Sequence, residues 1–298
     1  MKTPIFVREL TDGERQELGF AMGRTGRDAT AMMDAYVLAG LKTACDLSWM
    51  EGKGLILPYS LTALVELGLT RAQFDVDPVV DRLLEAPFDA NCGDLNALRA
   101  MVMLGHGSDE RVQRRLAHAN EVRLPDGWWL CLHPLDKMNL TPKSCIKAAM
   151  HGLLLAAELR RRGLHMPGSK ELIGYFLKRN LFYRSDALPS PDNPGRLALT
   201  SRPGWRMTDA FSPSEVMRVG LPMLLDALAV LGAGQAPELD EAWRLLQQKK
   251  DAQGRVLLEG TLTKSYLPRE RVGKPSKWTT LYAYLAWQNR ALCAPPTA

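Results

Sequence analysis

The sequence predicts an all-α protein assembled from repeated helical hairpins, and three observations carry that reading. Apolar residues recur at helical spacing along most of the chain, whereas strand-like pieces are confined to residues 54–57 and 255–258. Three segments share one template: LTALVELG (61–68), LRAMVMLG (98–105) and LDALAVLG (225–232). Each is followed by a polar link with an acidic residue and then a second amphipathic segment.

Within each template the apolar residues fall on one helix face, as Leu61, Leu64 and Leu67, then Leu98, Met101 and Leu104, then Leu225, Leu228 and Leu231. The terminal Gly stands where a left-handed C-terminal cap is favoured, so each template reads as a helix with a hard stop. The second helices are expected from Asp77 (DPVVDRLLE), from Asp109 (DERVQRRLAHA) and from Leu239 (LDEAWRLLQQ). Residues 145–162 followed by 169–181 supply a further hairpin between the second and third templates. Residues 184–205 lack periodicity and hold Pro189, Pro191, Pro194 and Pro203, which predicts an irregular excursion between repeats. A lone hairpin cannot bury its apolar face, so the hairpins must stack on a shared core. A closed ring of inner and outer helices (an α/α toroid) and an open HEAT-like α-solenoid both satisfy that demand. Helical repeats run on both sides of the excursion, which favours a single domain over residues 1–298.

Composition narrows the function classes. The chain has 298 residues, 46% of them hydrophobic, and a net charge of +5, which permits an anionic partner without requiring one. No apolar run approaches the roughly 20 residues of a membrane span, and MKTPIFVREL turns charged before a signal-like stretch develops, so a cytoplasmic protein is expected. Five cysteines, Cys45, Cys92, Cys131, Cys145 and Cys293, are too scattered for a disulfide scaffold. There is no P-loop, dinucleotide fingerprint, Ser-His-Asp set or H-E-x-x-H motif.

More specific are the C-terminal segment 255–290, above all GKPSKWTTLYAYLAW, and the upstream pieces GDLNALRAMVMLGHGSDERVQRRLAH, DGWWLC and SCIKAAMHGLLLAAEL. Together they resemble a group of bacterial proteins within the prenyltransferase and squalene-cyclase repeat superfamily. The loops at 112–131 and 242–260 are similar to its Gln-Trp repeat, although the first lacks the Gln and the second the Trp. The resemblance implies an α/α toroid whose inner helices start near Tyr59, Gly93, Cys145, Val216 and Trp278, at the mouth of a central cavity. It implies a hydrophobic, isoprenoid-like ligand and an activity, if any, like that of a terpenoid cyclase or prenyltransferase. The acidic D-x-D-D motif of the cyclases is replaced by Asp89-Ala90-Asn91-Cys92-Gly93-Asp94, which counts against proton-initiated cyclisation.

On that ring the candidate site residues gather at one mouth. Asp94 and Lys277 are the candidate catalytic groups. Tyr59, Trp128, Trp129, Trp278 and Tyr282 are candidates for an aromatic lining that receives the substrate, with Lys274 beside the start of the last helix. In GKPSKWTT, Pro275 and Ser276 suit a helix start with Ser276 as N-cap. Backbone N–H groups there, with Lys274 and Lys277, could cradle a phosphate or carboxylate, and ordinary capping explains the same residues. Cys92, Cys131 and Cys145, with His133 or else His151 as fourth ligand, make a candidate zinc set, with core packing of the thiols as the competing reading. The alternative function is a non-enzymatic helical-repeat module that binds a protein or nucleic acid through a basic face, drawing on Arg111, Arg114, Arg115 and Arg160 to Arg162. For those arginines, complementing helix C-termini is the competing role, and it disfavours nucleic acid.

Overall fold

The computed structural model describes residues 61–62, 65, 71, 76–124, 129, 145–179, 181, 219–258 and 271–292. Eight α-helices lie among them. The chain clusters into two compact units, one of Met32–Leu172 and one of Met1–Ala31 with Ile173–Ala298.

In the first unit, α1 (Asp77–Glu85) opens with Pro in its first turn and buries Val79, Val80 and Leu83. The inner helix α2 (Cys92–Met103) starts from a reciprocal cap. Asn91 Oδ1 accepts from the N–H groups of Gly93 and Asp94, and the Asp94 carboxylate accepts from the Asn91 N–H at 3.2 Å. Every residue from Leu95 to Met103 is buried, so α2 has no solvent face. It stops at Gly105, whose φ of 95° needs a residue without Cβ. After a 3-10 turn at His106–Ser108, Asp109 caps α3 (Glu110–Glu121), which buries only the stripe Val112, Leu116, Ala119. One helix is thus core on all sides and the next is half solvated, as helical hairpins stacked on a shared core require.

The chain then returns through Trp129, whose carbonyl accepts from the Cys145 N–H, to the second inner helix α4 (Ile146–Arg161). Residues 148–159 of α4 are all buried, and α4 packs along α2. Arg162 Nε and Nη2 donate to the carbonyls of Val102 and Met103, so the two inner helices end side by side. Arg115 does the same for α1, donating to Leu84 O and Ala86 O at 2.7 Å. These arginines do complement helix C-termini, but those of neighbouring helices. α5 (Ser169–Lys178) follows after Gly168.

The second unit repeats the plan. All ten residues of α6 (Leu221–Val230) are buried, Gly232 takes φ 88°, and α7 (Asp240–Gln248) buries only Ala242, Trp243 and Leu246. The inner helix α8 (Lys277–Leu292) then packs along α6. The strand-like piece 255–258 forms single bridges, Val256 to Lys250 and Leu257 to Pro275. A ladder cannot grow through Pro275, which has no N–H. Ser276 is the N-cap of α8, its Oγ accepting from the Thr279 N–H at 3.0 Å, while Thr280 Oγ1 accepts from the Val256 N–H. No helix among the described residues is long and apolar enough to cross a membrane. Residues 54–57, the Gly68 stop, Val216 and the excursion 184–205 lie outside the described residues.

Candidate functional site

The two buried helices of the first unit carry four buried polar side chains, Asn96 and Arg99 on α2 and His151 and Glu158 on α4. Asn96 and Arg99 stand three residues apart on α2, on one face, and His151 stands on α4, which packs against it. Exposure is 0% for Asn96, 4% for Arg99 and 1% for His151. Thr62, also buried, donates from Oγ1 to the Asn96 carbonyl at 3.1 Å. Among the described residues, neither polar atom of the Asn96 amide and neither ring nitrogen of His151 has a hydrogen-bond partner. Leu95, Leu98, Met101, Met150 and Leu153, on the same two helices, are buried as well.

Burial pushes the His151 pKa down to about 3, and the positive charges of Arg99 and Lys147 push it the same way. At neutral pH the ring is therefore uncharged, with one N–H to donate and one lone pair to accept. The Asn96 amide likewise offers both kinds of atom, and Arg99 contributes a fixed positive charge. Such a set suits an oxygenated or anionic group lying in an apolar interior.

Two other buried polar pairs occupy matching registers in the two units. Arg99 precedes Gly105 by the interval at which Asp226 precedes Gly232, and Glu158 follows Cys145 as Asn289 follows Ser276. Asn289 Nδ2 donates to Asp226 Oδ1 at 2.6 Å. Glu158, fully buried, pairs with Arg162 at 3.0 Å and Arg161 at 3.7 Å. Asn289 and Asp226 join two helices and Glu158 is paired within the end of α4, whereas the side chains of Asn96 and His151 have no hydrogen-bond partner among the described residues.

The residues singled out from sequence are placed as follows. Asp94 is half-buried at the first turn of α2, its Oδ2 accepting from the N–H groups of Asp89 and Asn91. Burial raises its pKa, against the lowering effect of those two hydrogen bonds. Trp129 is 1% exposed, and its Nε1 donates to Ala119 O at 2.6 Å, so its indole is part of the core. Tyr282 is buried on α8, Lys274 is exposed, and Lys277 and Trp278 sit in the first turn of α8. Tyr59, Trp128, Cys131 and His133 lie outside the described residues. Cys92 and Cys145 are half-buried thiols at the N-terminal ends of α2 and α4. Of the zinc set the described residues include Cys92, Cys145 and the alternative ligand His151, and among the described residues no three His, Cys, Asp or Glu side chains form a metal-sized group.

Asn96 and Arg99 were not anticipated as site residues, because a template scored by its leucines passes over polar residues lying between them. The available signal was that LNALRAMVML places Asn and Arg three apart in a helix otherwise apolar on every side. Comparison of the chain with family models, with curated proteins and with solved structures gave no match.

Proposed function

We propose that the protein binds a hydrophobic, isoprenoid-like small molecule, with Asn96, Arg99 and His151 meeting its oxygenated head, on a helical-repeat scaffold closed as an α/α toroid. One observation carries this reading: a buried amide and a buried neutral imidazole have no hydrogen-bond partner among the described residues, on helices that are mostly apolar. Each such group costs about 1–3 kcal/mol when it is left unsatisfied, and an apolar side chain there would serve the fold better. A ligand with an alcohol, carbonyl or phosphate head offsets that cost, and Arg99 adds a charge preference for phosphate. The leucines and methionines around the cluster suit an apolar tail. A reaction catalysed on such a ligand is not part of the proposal.

Binding of a polyanion through a basic face has no comparable support among the described residues. Arg111 pairs with Asp81 at 2.7 Å and Asp109 at 2.8 Å, and Arg115 and Arg162 are spent on helix ends.

The test is calorimetric titration of the full chain with farnesyl diphosphate and with farnesol, repeated on Asn96→Leu and His151→Leu. The expected result is saturable binding of the diphosphate, weakened at least about tenfold in both variants, while their unfolding midpoints stay equal to wild type or rise. Absence of binding to folded wild type, or equal affinity in the variants, overturns the proposal and leaves the cluster satisfied by buried water.

A further inference from the structure

The second unit carries a cleft of about 320 Å³ that the reading above does not use. It is lined by Lys250, Thr280, Tyr284, Trp287 and Gln288, with small residues (Gly254, Ala283 and Ala291) completing the wall. The volume lies at the lower end of the range of roughly 300–1,000 Å³ typical of small-molecule sites. Its aromatic wall is rigidly held. Trp287 packs on the buried Trp243 with ring centroids 4.7 Å apart, and Trp243 is anchored by its Nε1 donating to Gly234 O at 2.8 Å. Tyr284 accepts from Gln288 Nε2 at 3.0 Å, which holds both residues along the same face of α8.

One cationic donor at this cleft has no acidic partner among the described residues. The half-buried Lys250 ammonium stands 5.1 Å from the centre of the Trp287 ring, and no carboxylate among the described residues pairs with it. Burial alone shifts the Lys250 pKa, downwards, with no acidic group opposing it. The lining residues include no acid, so a ligand carboxylate would meet no competing anion among the residues that line the cleft.

We propose that this cleft binds a small monocarboxylate with a flat apolar body, the carboxylate on Lys250 and the body against Trp287 and Tyr284. A single ammonium matches a single negative charge; a dianion such as phosphate would bring an uncompensated charge into a half-buried, largely apolar cleft. The indole face and the two alanines provide contact area for a ring.

The test uses the full chain labelled with ¹⁵N, following indole N–H resonances during titration with phenylacetate and, separately, with the isosteric neutral phenylacetamide. Trp287→Phe assigns the relevant resonance. The expected result is a saturable shift of the Trp287 signal with phenylacetate in the millimolar range or tighter, and at least about tenfold weaker binding of phenylacetamide. Lys250→Gln loses about tenfold in phenylacetate affinity or more, and Lys250→Arg retains most of it. Lys250 contributes its backbone to the bridge with Val256, so these exchanges leave that bridge intact, which unchanged far-UV circular dichroism verifies. Equal binding of acid and amide, no effect of Lys250→Gln, or no shift of the Trp287 signal at any concentration reached overturns the proposal.

Discussion

Adding one methyl group at Gly152 tests whether Trp129 is built into the core of the first unit. An ideal Cβ on Gly152 would lie 2.5 Å from Cζ3 and 2.7 Å from Cη2 of Trp129, about 1 Å inside ordinary van der Waals contact. The indole has little room to retreat. It is 1% exposed, its Nε1 is tied to Ala119 O, and the carbonyl of the same residue accepts from the Cys145 N–H at 2.8 Å. Gly to Ala inside a helix gains about 1 kcal/mol from backbone propensity. Overpacking a core costs about 1–3 kcal/mol. Gly152→Ala should therefore leave the protein about 0–2 kcal/mol less stable than wild type. Gly174 in α5 is the internal control, because nothing lies within 4 Å of a Cβ built there. Gly174→Ala should gain about 0.5–1 kcal/mol, so the two identical exchanges differ in sign. Urea unfolding followed by far-UV circular dichroism measures both. Adding Trp129→Phe, which removes the atoms that clash, should make the cost of Gly152→Ala shrink in the double variant. If Gly152→Ala stabilises as much as Gly174→Ala, Trp129 does not sit over Gly152 and the packing argument fails.

Two further outcomes follow from the site. His151 is held neutral with a pKa of about 3 against an ordinary 6.5, so the unfolded chain takes up the proton first as pH falls. Its contribution to stability is present in full above pH 6.5 and is lost towards pH 3 at up to about 1.4 kcal/mol per unit. Unfolding free energies measured from pH 7 to pH 4 should show that loss in wild type and a shallower one in His151→Leu; parallel curves would contradict the assignment. Asp94→Ala removes one half of the reciprocal cap of α2 and should cost about 1 kcal/mol, as should Asn91→Ala, with non-additive effects in the double variant. Additive losses in thermal unfolding would show that the two side chains do not act as one cap.

Much of the fold was legible in the sequence because it rests on local physics. The second helix expected from Asp77 runs Asp77–Glu85, that expected from Asp109 begins at Glu110 with Asp109 as its cap, and Ser276 caps α8 as anticipated. Apolar period, capping oxygens and stop glycines act over a few residues, and a reader of the chain sees all of them. The candidate site was less legible. By sequence His151 reads as an alternative zinc ligand and Asp94 as a catalytic acid at a cavity mouth. Which of them serves a helix end and which stands unpartnered depends on what the neighbouring helix brings alongside.

What the sequence determined by itself is therefore the repeated hairpin, with its inner helix apolar on every side, its outer helix half solvated and a left-handed glycine ending the inner one. Only tertiary structure decided the work of the polar residues within it. Arg162 caps the carbonyls of Val102 and Met103 on α2, Asn289 donates to Asp226 on α6, and Lys250 meets Trp287 across a cleft. Those partners are up to 63 residues away in the chain. The worth of a buried polar group is set by burial and by its partner, and neither is encoded within the few residues on either side of it.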